Sequence, residues 1–147
     1  MMKNIEKTVV LIEDNYIESK LVSNVIYKLF TNVRLLIYDN SKTALSNILE
    51  LVSTERNKID LIIIDIKMPD ISGLDVLRQF RQYKIYCPII MMSTSDETKD
   101  INQSYAYGAN GYVIKSVDFE QFKYNIQIML EYWLDINQPY NEGNNYV

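Results

Sequence analysis

The sequence predicts a doubly wound α/β fold, a five-stranded parallel sheet with helices on both faces. Five short apolar runs recur along the chain, stretches of helical length separate them, and several of the runs are rich in β-branched residues. Parallel neighbours need a crossover between them, and a helix between successive strands supplies it. The first run is Val9–Ile12, followed by a helix starting near Asp14/Asn15 with Ile17, Leu21, Val25 and Leu29 at spacing four. The second run is Val33–Tyr38, with a helix from near Ser41. The third, Leu61–Ile64, is apolar at every position, as a strand buried on both faces must be, and marks the centre of the sheet. Its helix starts near Ser72, and Met68–Pro69 and Gly73 beside that start read as loop geometry. Ile89–Met92 and Tyr112–Ile114 complete the set, with helices from near Asp96 and Asp118.

A chain of 147 residues with 48% apolar content supplies one core, so residues 1–137 are expected to form one domain with an extended last helix, and 138–147 a flexible tail. No second domain is visible. The net charge of -4, without a run of Lys or Arg, disfavours direct nucleic-acid binding. No apolar stretch approaches the ~20 residues of a spanning helix, and MMKNIEKT does not resemble a signal peptide. A lone Cys87 beside Pro88 reads as a small buried residue in a reducing compartment, and the expected location is the cytoplasm. Histidine is absent, which removes Ser-His-Asp and Cys-His catalysis and the commonest zinc ligand. Any chemistry must use carboxylates, hydroxyls and lysines.

In an open α/β sheet, ligands sit outside the carboxyl ends of the strands. Here those ends are polar: Glu13–Asp14 after the first, Asp65 after the third, Ser93–Thr94–Ser95 after the fourth and Lys115 after the fifth. Alone, each carboxylate reads as a helix cap or turn residue, Lys115 as a solvated lysine and Ser93 as an ordinary strand-end hydroxyl. Together, three carboxylates at one edge repel one another unless a cation neutralises them. Mg²⁺ suits such a site, being a hard ion that takes carboxylates, a carbonyl, waters and a phosphate oxygen. Carboxylates, a hydroxyl and a lysine around Mg²⁺ make a phosphoryl-transfer set, with Asp65 the nucleophile by position.

The segments LIEDN at 11–15, IIIDIKMPDISGLDVL at 62–77, PIIMMSTS at 88–95 and GANGYVIKS at 108–116 resemble, in order and spacing, the receiver domains of bacterial response regulators over roughly Thr8 to Asn137. The resemblance implies a flavodoxin-like sheet of strand order 2-1-3-4-5. It makes Asp65 the phosphorylated residue, Asp14 a direct Mg²⁺ ligand, Glu13 a ligand through water and Lys67 a ligand through its backbone carbonyl. Ser93 matches the family's hydroxyl, Lys115 its phosphate-pairing lysine, and Tyr112 the aromatic that turns inward when the hydroxyl moves toward the phosphoryl group. Ser116 departs from the usual proline after that lysine. With STS and the ending FEQFKYNIQIMLEYWLDI, it resembles the small receivers that serve bacterial phytochromes.

The implied function is a phosphoacceptor switch charged by a partner histidine kinase or histidine phosphotransfer protein, catalysing only its own phosphorylation and dephosphorylation. The phosphorylated surface is then expected to bind another molecule or pass the group onward. A phosphorylation-independent interaction module on the same fold is the alternative. A Mg²⁺-dependent phosphohydrolase is a third reading, and the second acid it needs two residues after the nucleophile is absent, that position being Lys67. In the last helix Phe119, Phe122, Ile126, Met129 and Trp133 form an expected core stripe. Tyr124, Ile128 and Tyr132 form a second stripe nearly opposite, which with Tyr105, Tyr107 and Tyr112 is expected to make a homodimer interface.

Overall fold

Each predicted run is a strand in the computed structural model, which describes residues 6–54 and 58–139. In chain order the elements are β1 (Lys7–Ile12), α1 (Tyr16–Leu29), β2 (Val33–Tyr38), α2 (Ser41–Ser53), β3 (Leu61–Asp65), α3 (Gly73–Gln82), β4 (Ile89–Ser93), α4 (Thr98–Ala106), β5 (Gly111–Ile114) and α5 (Phe119–Glu131). A single π-helical turn, Tyr132–Ile136, extends α5. The strands are all parallel in the order β2-β1-β3-β4-β5, with β3 at the centre as its unbroken apolar run requires. The expected tail starts at Gln138, and its residues 140–147 lie outside the described residues. Among the described residues no helix is long and apolar enough to cross a membrane.

Strand alternation sorts the core into two layers. Val10, Ile12, Ile62, Ile64, Ile89 and Met91 face α2 and α3, where Ala44, Ile48, Leu77 and Phe80 meet them. Val9, Leu11, Leu61, Ile63, Ile90 and Met92 face α1 and α5 on the opposite side. The four apolar residues of β3 are fully buried, each contributing about 1.5–3 kcal/mol over exposure.

Two helical stripes differ from expectation. In α1 Leu21 and Val25 are buried, but Ile17 is 71% exposed and Leu29 40%, with Val22 and Ile26 in their place. A spacing of four overshoots one turn by roughly 40° per step, so such a stripe winds off the core within three steps. In α5 Phe122, Ile126 and Met129 are buried and Trp133 is half-buried, whereas Phe119 is 55% exposed at the mouth of the groove between α1 and α5. Leu130 and Leu134 supply the remaining core contacts, the latter from the π turn. Cys87 is half-buried, and desolvation pushes its thiol up to about 12, so it is a packing residue rather than a nucleophile.

Helix starts follow their caps. Asn15, Asn40, Ser72 and Asp118 each accept from a first-turn amide, while α4 begins two residues beyond Asp96 with no side-chain cap. The start of α2 has a second support from the loop after β3. The Asp70 carboxylate accepts from Ser41 N (3.2 Å) and Lys42 N (2.9 Å), and the Ser41 hydroxyl donates to the Ile71 carbonyl at 2.7 Å. The Lys42 amide is the main cause that holds the Asp70 carboxyl down at about 2, aided by the Ile71 and Ser41 amides. A depressed folded-state value stabilises above the unfolded value near ~3.9, and the stabilisation is lost as pH falls through about 2. Asp70→Asn is therefore expected to lower the denaturant midpoint at pH 7, with the gap to wild type closing between about pH 4 and 2. A gap that stays constant over that range would contradict the cap.

Candidate functional site

The carboxyl ends of β1, β3 and β4 and the residue after β5 lie together at one edge of the sheet. Glu13 is 1% exposed, Asp65 5%, Ser93 1% and Lys115 9%. Lys115 reaches the site because its backbone amide donates to the Ser93 carbonyl at 2.7 Å, which holds the chain leaving β5 beside β4. Its ammonium then lies 2.7 Å from Glu13 Oε1, 2.5 Å from Glu18 Oε2 and 3.3 Å from Asp65 Oδ2. Asp65 Oδ1 accepts from the Lys67 amide at 3.3 Å, so the nucleophile candidate is oriented by the turn that follows it.

Close packing fixes that turn. Gly73 N donates to the Ile66 carbonyl at 2.8 Å, and a Cβ on Gly73 would lie 2.1 Å from the Asp65 carbonyl oxygen. The start of α3 thus sits against the backbone of Asp65 itself, at a distance only glycine permits.

Of the sequence-derived site residues, the structure brings Glu13, Asp65 and Lys115 into contact. Ser93 ends the neighbouring strand, with its hydroxyl accepting from the Ser95 amide at 3.1 Å. Asp14 is exposed, and the group of carboxylates whose oxygens lie within 4.8 Å of one another is Glu13, Glu18 and Asp65. Lys67 follows Asp65 with its side chain exposed. Tyr112 is half-buried and its hydroxyl donates to the Ser95 carbonyl at 2.8 Å. One residue, Ser95, therefore bonds both Ser93 and Tyr112, and its own hydroxyl donates to Asp100 at 2.6 Å. The Lys115–Ser116 bond is trans. Tyr124, Ile128 and Tyr132 are exposed as expected, while Tyr107 leaves that face and lies under Arg78, 5.4 Å from its guanidinium.

Glu18 is the residue sequence reasoning missed. It sits three positions after the cap Asn15, where an acid ordinarily serves the helix terminus, and that local role hides a tertiary one.

Three carboxylates face one ammonium here. Glu13 is held well above the usual carboxylate range, chiefly by burial, then by hydrogen bonding to Glu18 and Asp65, against the opposing pull of Lys115. Burial pushes Glu18 up, but hydrogen bonds to Glu13 and Lys115 hold it below its usual value. Burial pulls Lys115 down, and its hydrogen bonds to Glu13 and Glu18 more than reverse that, keeping it charged. A single ammonium leaves the carboxylates under-neutralised, and the donors are all hard oxygens, so the group fits a divalent cation of the Mg²⁺ type.

The family model described as the response regulator receiver domain matches residues 9–127. Among curated proteins, the probable methanogenesis regulatory protein FilR2 of Methanothrix harundinacea is 26% identical over 132 residues, covering 88% of this chain and 85% of that one. The response regulator ArlR of Staphylococcus saprophyticus is 38% identical over 74 residues, 50% of this chain and 33% of ArlR, so the match spans about a third of that relative. Among solved structures, the phosphorylated cyanobacterial phytochrome response regulator RcpA has the same fold, with a TM-score of 0.82 and 23% identity over 93% of this chain and 100% of that one.

Proposed function

The chain belongs to the response regulator receiver domain family, whose members are signalling phosphoacceptors of two-component systems, and on that premise we propose that Asp65 takes the phosphoryl group. One observation carries the assignment: Asp65 is the buried carboxylate at the end of the central strand, with the Lys115 ammonium 3.3 Å away. The donor is a histidine kinase or a histidine phosphotransfer protein, since this chain has no histidine of its own. A carboxylate oxygen of Asp65 forms the new O–P bond as the donor's P–N bond breaks, and the leaving imidazole keeps the electron pair and takes a proton. Catalysis extends to its own phosphorylation and dephosphorylation only, and the proposed setting is the cytoplasm.

Glu13 and Asp65, which belong to the carboxylate cluster, would hold Mg²⁺ together with the Lys67 carbonyl and Asp14, the last of which is exposed and outside that cluster in this structure. When bound, the ion supplies charge neutralisation at the phosphoryl oxygens. Lys115 supplies the second positive charge and Ser93 a hydroxyl donor. If the Ser93 hydroxyl turns to the phosphoryl group, it leaves the Ser95 amide, and Ser95 is also the anchor of Tyr112. That shared residue gives phosphorylation a route to the α4–β5–α5 face. The direct test is mass spectrometry after incubation with acetyl phosphate and Mg²⁺, with uptake of one phosphoryl group expected and no uptake counting against the reading.

The same face supports a homodimer. Tyr105, Tyr112, Ile128, Tyr132 and Trp133 line a groove of about 580 Å³ beside the exposed Tyr124. Aromatic residues suit an interface core because they bury large area at low entropy cost. In sedimentation, Tyr124→Glu/Ile128→Glu is expected to be monomeric where wild type associates, and beryllofluoride with Mg²⁺ to shift the wild-type equilibrium by about 1–3 kcal/mol. Equal association of the double variant would place the interface elsewhere. An unchanged equilibrium with beryllofluoride would leave the dimer but remove its coupling to phosphorylation.

A further inference from the structure

Glu18 occupies the capping-box position of α1, three residues after the cap Asn15, from which a glutamate ordinarily reaches back to the cap's own amide. That amide is already taken, since Asn15 N donates to Glu13 Oε2 at 3.3 Å. The helix terminus is served instead by the Glu18 backbone amide, which donates to Asn15 Oδ1 at 3.1 Å. The Glu18 carboxylate is thereby released from local duty, and it turns to Lys115, 97 residues away, at 2.5 Å. Of the three carboxylates around that ammonium, Glu18 is the nearest, Glu13 next at 2.7 Å and Asp65 the farthest at 3.3 Å. The Glu18 side chain is 25% exposed and Glu13 is enclosed, so Glu18 is the partner that can part from the lysine at the lower desolvation cost.

We propose that Glu18 is a positioning residue for phosphoryl transfer, competing with the phosphoryl group for Lys115. In the resting protein it draws the ammonium toward α1, and on phosphorylation of Asp65 the ammonium passes to the phosphoryl oxygens. Glu18 then sets how tightly the site holds a phosphoryl group, because its pair with Lys115 stabilises only the resting state. This inference rests on the assignment of Asp65 as phosphoacceptor.

The test is the affinity for beryllofluoride in the presence of Mg²⁺, read by amide NMR titration on wild type, Glu18→Gln and Glu18→Asp, each also in a Lys115→Ala background. Both single variants keep the backbone amide that Asn15 caps. Glu18→Gln is expected to bind beryllofluoride about fivefold more tightly, the size of a partly exposed charge-assisted contact. Glu18→Asp, which keeps the charge and loses a methylene of reach, is expected to behave like the glutamine variant. In the Lys115→Ala background both changes are expected to have no effect, since the partner through which Glu18 acts is gone. Wild-type affinity in both single variants overturns the proposal. So does a tightening that appears in Glu18→Gln but not Glu18→Asp, or one that persists without Lys115, either of which marks plain charge repulsion. Failure of wild type to bind beryllofluoride is a different result, and it removes the phosphoacceptor assignment itself.

Discussion

Asp65→Asn is expected to abolish phosphoryl uptake from acetyl phosphate, to below about one per cent of wild type, because an amide oxygen lacks the charge and basicity to displace the leaving group. The substitution is nearly isosteric. An asparagine side-chain oxygen can still accept from the Lys67 amide as Asp65 Oδ1 does at 3.3 Å, and Lys115 keeps Glu13 and Glu18 as partners. The fold is therefore expected to persist, and an unchanged circular dichroism spectrum separates loss of chemistry from loss of structure. Wild-type label should be released by hydroxylamine, as an acyl phosphate is. Hydroxylamine-stable label would direct attention to a hydroxyl, and labelling of the asparagine variant at the wild-type level would remove Asp65 from the role.

Among the described glycines, Gly73→Ala is expected to be the most damaging substitution. The added Cβ would meet the Asp65 carbonyl oxygen at 2.1 Å, the Asp65 carbonyl carbon at 2.8 Å and Ile66 Cα at 2.8 Å, all of them backbone atoms at the end of the central strand. None can rotate aside, so α3 and the end of β3 must separate, and the 2.8 Å bond from Gly73 N to the Ile66 carbonyl must lengthen with them. The expected cost is about 3 kcal/mol or more, at the upper end for overpacking, read as a lower denaturant midpoint at unchanged slope. Phosphorylation should fall as well, since the displaced backbone is that of Asp65, the proposed phosphoacceptor. Gly111→Ala is the informative comparison: its nearest neighbour is the flexible Ile90 Cδ1 at 3.0 Å, so a smaller loss is expected. Stability of Gly73→Ala within about 0.5 kcal/mol of wild type would show that the loop and helix can part freely, which the backbone contacts argue against.

Much of this protein is legible in the sequence because strands and caps are local. Five apolar runs, their order and the polar residues at their carboxyl ends are properties of neighbouring positions, and they sufficed to place Asp65, Glu13, Ser93 and Lys115 at one edge of a parallel sheet. Asn15, Asn40, Ser72 and Asp118 are cap residues for the same reason: each bonds an amide two or three residues away. The family's motifs are local as well.

What only the tertiary structure decided is which side chains meet across the fold. Spacing alone placed Ile17 and Phe119 on core stripes, and both are exposed, because burial depends on where a helix axis rests on the sheet. Asp70 supports the start of α2 through amides 29 and 28 residues away, partners that no spacing along the chain reveals. Glu13 and Asp14 are adjacent beyond the end of β1, yet one is enclosed against Lys115 and the other exposed, which no local pattern distinguishes. Glu18 reads as an ordinary first-turn acid until α1 is laid over β1 and the chain leaving β5 is tied to β4. Its carboxylate and the Lys115 ammonium then lie 2.5 Å apart, a pairing set by the packing of whole elements rather than by any spacing along the chain.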